Sequence, residues 1–186
     1  SRDRLPILPP DQPWQKTRDA ATSIPPPRTE ITAPEGAPNV VIILLDDMGF
    51  GTCDVFGGPV HMPTAQRLAR VGERYNQFHT TALCAPTRAA LLTGYNHHTN
   101  NMGTIGEMGT AFPGNTSVRP KSVTPLARIL RDNGYSTAQF GKCHETPTWE
   151  SGPFGPFDHW PTSSGFEKFY GFVGCQTNQY HPVLYE

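Results

Sequence analysis

The run Asn39-Val40-Val41-Ile42-Ile43-Leu44-Leu45 constrains what this chain can fold into more than any other stretch. Its β-branched and leucine residues show no polar alternation, which is the pattern of a central parallel strand covered on both faces. The run therefore predicts a strand inside an α/β sheet. It ends in Asp46-Asp47-Met48-Gly49, and in open α/β sheets the site lies at the carboxyl ends of the strands. Two consecutive carboxylates beside an apolar strand repel unless something positive compensates. Oxygen-only donors suit a hard cation, Ca²⁺ or Mg²⁺, better than zinc. A polar turn that caps a following helix is the simpler reading of either aspartate alone.

A second stretch, Leu83 to Gly94 (LCAPTRAALLTG), reads as a reactive residue at the start of a short helix. Pro86 suits the first helical position, Ala89 to Leu92 are good helix formers, and Gly94 is placed to end the helix in the left-handed conformation. Cys84 then sits at the positive end, where free N–H groups and the helix dipole favour negative charge on a thiolate or an oxyanion. Arg88 lies one turn further in and leans back toward position 84. A buried structural cysteine beside a surface arginine is one alternative. A cysteine-phosphatase nucleophile is another, but only three residues separate Cys84 from Arg88, too few for amides to encircle a phosphate.

The third informative stretch follows Ser122 to Asn133 (SVTPLARILRDN), the clearest helix signal in the chain. Thr124 is placed to cap it, Pro125 fits its first turn, Leu126, Ile129 and Leu130 form one apolar face, and Gly134 stops it. Tyr135 to Phe140 reads as a strand that runs into Gly141-Lys142-Cys143-His144-Glu145. Lys142 and His144, two apart, fall on the same side. A cation beside an imidazole is what an oxyanion and a hydroxyl proton require. Taken alone, the segment reads more readily as an exposed lysine and a solvated histidine.

These motifs together resemble the sulfatase family. CAPTRAALLTG extends the family's CxPxR signature, GKCH matches its GKxH signature, and Asp46-Asp47 stands where sulfatases carry a metal-binding pair after their first strand. The resemblance covers roughly residues 38 to 186. It implies an alkaline-phosphatase-like α/β sandwich around a mostly parallel sheet, incomplete at the C-terminus here, and hydrolysis of sulfate monoesters of the aryl sulfate type. It implies that a separate maturation enzyme oxidises Cys84 to formylglycine, whose hydrate attacks sulfur with one hydroxyl and uses the other to expel sulfate. It further implies a divalent cation, usually calcium, held by Asp46, Asp47 and residue 84. Arg88 and Lys142 would support the charge, Lys142 binding sulfate, and His144 would act on the hydrate. Cys143 stands where the family commonly has tryptophan, and Tyr95 where it often has arginine. The family's later Asp-Asn metal pair, second histidine and further lysine have no counterpart here, so the chain is expected to be an N-terminal portion, inactive or nearly so alone. A phosphate or phosphonate monoester hydrolase of the same superfamily is the nearest alternative, and a non-catalytic binding fragment with unmodified Cys84 a further one.

The remaining sequence sets limits. A net charge of -1 gives no basic field for nucleic acid or anionic membrane. The longest apolar run, Val40 to Leu45, is far too short to cross a bilayer. No secretory signal core is present, and the chain opens on Ser1 rather than Met, which fits removal of an upstream piece. Cysteines at 53, 84, 143 and 175 form no CxxC pair, so a cytoplasmic and a periplasmic or secreted location both stay open. Residues 1 to 38 hold nine of the 20 prolines and read as an arm, with Leu5, Ile7, Leu8 and Trp14 as anchors or the whole as a loose linker. Residues 39 to 186 read as the catalytic part. Within it, Gly49 to Gly58 reads as a flexible crossover, Pro63 to Gly72 as a surface helix, and Arg74 to Thr80 as a strand or extended run. His97-His98 are expected to line the pocket, residues 101 to 121 to form a long surface loop shaping substrate access, and 146 to 172 to form an aromatic, irregular cover.

Overall fold

The structure, a computed structural model, describes residues 17–25 and 31–186. The proposed anchors Leu5, Ile7, Leu8 and Trp14, with Pro26 and Pro27, lie outside the described residues. Within the described part of the arm, the Asp19 carboxylate accepts from the Ala21 amide and starts a single 3₁₀ turn, Ala20–Thr22. Further on, the Ala33 amide donates to the Gly134 carbonyl at 3.2 Å, which fastens this segment to the body.

Three α-helices and one parallel strand pair form the regular structure among the described residues. Helix α1 spans Pro63–Val71, with proline in its first turn as expected. Its N-cap residue, Met62, offers no side-chain acceptor, and Asp54 supplies one instead. The Asp54 carboxylate accepts from the Met62 amide at 3.2 Å and from Gln66 Nε2 at 2.7 Å. The glycine-rich stretch before α1 is therefore pinned to the helix rather than a loose crossover, with a 3₁₀ turn at Asp54–Phe56 and Cys53 buried beneath it.

Helix α2 spans Cys84–Thr93 and closes on Gly94, whose φ of 71° is the left-handed stop the sequence calls for. The helix begins two residues earlier than Pro86 alone indicates. Leu83 is the extended N-cap, and Cys84 is the first helical residue. Helix α3 spans Leu126–Asp132. Pro125 is its N-cap, so Thr124 lies too far upstream to cap it. Its buried contact is Ala127, while Ile129 stays 40% exposed, so the expected apolar face is only partly used.

Strands β1, Ala138–Lys142, and β2, Lys168–Phe172, pair in parallel from Ala138↔Lys168 to Lys142↔Phe172. Two further bonds, Cys143 N to Phe172 O and His144 N to Val173 O, continue the pairing past β1. A Cβ on Gly171 would lie 1.9 Å from the Gly141 carbonyl oxygen, so the register tolerates only glycine there. One face of the pair carries the core: Cys143, Trp160, Phe169 and Val173, with Tyr185 packed against them. Trp160 stands edge-on to Phe157, Phe169 and Tyr185, and its indole N–H donates to the Glu150 carbonyl at 2.6 Å.

The run expected to form the central strand does not pair. Residues 39 to 45 make no ladder among the described residues, and Val41 and Ile43 are 81% and 73% exposed. An apolar strand needs neighbours on both edges and layers on both faces, and the described residues put no strand or helix against this one. Residues 74 to 80 likewise form no strand.

Candidate active site

Cys84, at the first position of α2, and His144, just past β1, are brought together across 60 residues of sequence. His144 Nδ1 stands 3.0 Å from Cys84 Sγ. His144 itself adopts a left-handed backbone, φ 54°, that turns its ring off the line of the strand. The other ring nitrogen, Nε2, lies 3.1 Å from Glu107 Oε2. Lys142 completes the rim. Its ammonium donates to Asp46 Oδ2 at 2.8 Å and lies within electrostatic reach of Cys84.

Arg88 sits one turn into α2, only 8% exposed, and joins these parts. Its Nη1 donates to the Lys142 carbonyl at 2.8 Å and its Nη2 to Asp46 Oδ1 at 3.2 Å. The planar guanidinium fixes both partners in one plane, which an ammonium could not do. Its Nε is buried without a partner among the described residues. Asp46 thus meets two cations, which answers the repulsion expected of a carboxylate pair. Asp47 points differently: its φ is 52°, its side chain is exposed, and it makes no hydrogen bond among the described residues.

The electrostatics follow from these contacts. Burial pushes the Asp46 carboxyl up, but hydrogen bonds from Lys142 and Arg88 outweigh it and hold the group below the usual carboxylate range. Burial likewise opposes ionisation of Glu107, and the His144 bond overrides it, so Glu107 is a carboxylate. For His144 burial lowers the pKa, Glu107 works against that, and the net direction is down. At neutral pH the ring is therefore neutral. A carboxylate can only accept, which places the one ring proton on Nε2 and leaves the Nδ1 lone pair facing residue 84. Lys142 is held above its ordinary value, Asp46 and Cys84 overcoming the burial that lowers it. A neutral base and a committed cation near one residue can take a proton from a hydroxyl and bind an oxyanion.

Five of the six residues singled out from sequence therefore converge: Asp46, Cys84, Arg88, Lys142 and His144. The carboxylates of Asp46 and Asp47 are hard donors that fit Ca²⁺ or Mg²⁺ by chemistry, yet two carboxylates supply at most four of the six to eight oxygens that Ca²⁺ takes. The paired histidines are used elsewhere. His98 Nδ1 stands 3.3 Å from the Gly114 carbonyl, with the His97 ring against it. His159 is held by Glu150 through both its amide and Nδ1, a loop contact as expected. A cleft of about 360 Å³ between Arg119, Lys121, Arg128 and His159 is lined by none of the converging residues.

Two residues at the centre escape sequence reasoning. Glu107 is the only acid between residues 101 and 121, and it folds inward on a 3₁₀ turn, Gly106–Met108, within a stretch whose composition says surface loop. Cys175 lies beyond β2, and its sulfur comes within 4.8 Å of the Cys84 sulfur. A lone cysteine far from the other motifs carries no spacing signal that links it to residue 84.

Comparison with known proteins identifies the family. A family model described as Sulfatase matches residues 38–186. The chain is 32% identical over 159 residues to an arylsulfatase of Klebsiella aerogenes, covering 82% of this chain and 32% of the relative. It is 34% identical over 154 residues to human arylsulfatase D, covering 81% of this chain and 26% of the relative. With human steryl-sulfatase it shares 34% over 138 residues, 72% of this chain and 23% of that one. The crystal structure of Ps i-CgsB is similar over 72% of this chain and 27% of its own, with a TM-score of 0.52 and 26% identity. The chain thus spans between about a quarter and a third of the length of these relatives.

Proposed function

This chain belongs to the sulfatase family, and from that premise we propose that residues 39–186 are the N-terminal part of a catalytic domain that hydrolyses sulfate monoesters of the aryl sulfate type. The domain as a whole would be the alkaline-phosphatase-like sandwich, whose central sheet takes in the run at 39–45. In this reading a maturation enzyme converts Cys84 to formylglycine, and the hydrated aldehyde supplies both the attacking hydroxyl and the one that releases sulfate. Asp46 and Asp47, with the converted residue, would hold a divalent cation of the calcium type.

The chain's own residues have distinct tasks. Lys142 presents a fixed ammonium to the sulfate oxygens. His144, neutral and protonated on Nε2, receives a hydroxyl proton at Nδ1, and Glu107 holds the tautomer that makes this possible. Arg88 orients both Asp46 and the backbone that carries Lys142. The observation that carries the reading is the 3.0 Å approach of His144 Nδ1 to residue 84 with Lys142 alongside.

Two measurements test it. Peptide mass spectrometry after co-expression with a formylglycine-generating enzyme should show residue 84 with sulfur replaced by oxygen and two hydrogens lost. Aryl sulfate turnover by the full-length converted enzyme should exceed its turnover of the matched aryl phosphonate, and the isolated chain should show little. Unconverted Cys84 in an active full-length enzyme would end the proposal, and faster phosphonate turnover would move it to the neighbouring ester class.

A further inference from the structure

We propose that, while residue 84 is still a cysteine, Cys84, His144 and Cys175 form a binding site for one cation of the zinc class, separate in chemistry from the hard-cation site at Asp46 and Asp47. The three ligand atoms, two sulfurs and one imidazole nitrogen, all lie within 4.8 Å of one another. Tetrahedral zinc holds sulfur at about 2.3 Å and nitrogen at about 2.0–2.1 Å, which sets ligand-to-ligand separations of roughly 3.5–3.8 Å. The sulfur-to-nitrogen separation of 3.0 Å and the 4.8 Å limit bracket that range, so shifts of well under a bond length would seat the ion.

The surroundings independently suit a metal. An imidazole ligand almost always donates its second N–H to a carboxylate or carbonyl, which fixes the tautomer and raises ligand basicity. Glu107 occupies that position on His144, 3.1 Å from Nε2. Two thiolates and an imidazole are a soft set that selects zinc over calcium. Asp46 offers hard carboxylate oxygens, which suit the other cation rather than one held by sulfur. Three protein ligands leave the fourth position to water.

The site does not rest on the sulfatase reading, because it uses the sulfur that conversion to the aldehyde removes. It implies that zinc occupies the atom a maturation enzyme must reach, so metal and conversion exclude each other. The test uses the reduced chain with Cys84 as thiol, titrated with Co²⁺ without oxygen. Thiolate-to-cobalt charge-transfer absorption should saturate at one equivalent and vanish on adding Zn²⁺. Cys175→Ser and Glu107→Gln should each weaken cobalt binding at least about tenfold. In the unaltered chain, Zn²⁺ should slow alkylation of Cys84 and Cys175 together. Absence of the charge-transfer band, equal cobalt affinity in Cys175→Ser, or protection of Cys84 without Cys175 would each overturn the site. The alkylation measurement decides the matter if a variant fails to fold. Cobalt binding by a chain whose converted full-length form hydrolyses no sulfate ester would refute the proposed function alone.

Discussion

Arg88 is the side chain on which the geometry around residue 84 depends, because its two terminal nitrogens serve different partners. Replacing it with lysine keeps the charge but lets the ammonium satisfy only one of them. Arg88→Lys is expected to lower stability by about 1–3 kcal/mol, read from urea unfolding, since a buried carbonyl or a carboxylate loses its partner. It should also reduce full-length sulfate ester turnover more than tenfold, given the loss of positioning. An unchanged urea midpoint would mean that the two hydrogen bonds contribute nothing. The cysteines divide just as sharply. Burial pushes the Cys143 thiol up to about 11, and it is 2% exposed. Since only the thiolate reacts, iodoacetamide at pH 8 should modify Cys84 and Cys175 well before Cys143, and peptide mapping over time checks the order.

At the scale of elements, the β1–β2 pair is the most demanding contact. Gly171→Ala places a methyl carbon against the Gly141 carbonyl and should cost at least about 1–3 kcal/mol by overpacking, lowering Tm. A melting temperature equal to that of the unaltered chain would show that the strands slide to accommodate it. The helices α1 and α2 were legible because proline and glycine punctuate them, and the ends found, Val71 and Thr93, sit one residue before Gly72 and Gly94. Strand β2 was not legible. Its Lys-Phe-Tyr-Gly-Phe alternates exposed and buried, but one buried position is Gly171, so the period of two lacks the apolar side chain that would reveal it. The site motifs were legible because Cys84, Arg88, Lys142 and His144 lie in short local patterns. Glu107 and Cys175 were not, since only tertiary folding sets them beside residue 84. The apolar run at 39–45 was read for what it needs, and its neighbours are not among the described residues. Val41→Lys with Ile43→Lys should reduce self-association of the isolated chain in light scattering without lowering its Tm. A fall in Tm would place those side chains inside the isolated fold.

For the molecule as a whole, one half-buried acid gives stability a pH dependence of defined sign. Burial pushes Glu145 from 4.5 up to about 7, with Arg119 and Arg88 pulling the other way. Its folded pKa is the higher one, so the folded state carries the extra proton between about 4.5 and 7. Stability on this account is highest below that window and falls as pH rises through it. His144, whose folded value is depressed, contributes the opposite slope, so the comparison must be made against a variant. Glu145→Gln should melt a few degrees higher than the unaltered chain at pH 8 and alike at pH 4.5, by calorimetry across the range. Parallel melting curves at every pH would remove Glu145 from the account. Arg88 bears on the whole molecule as well. One guanidinium grips both the carbonyl closing β1 and the carboxylate that follows the apolar run, so it is one clasp for two segments far apart in sequence. A perturbation felt at position 46 is carried through that clasp to the end of the strand.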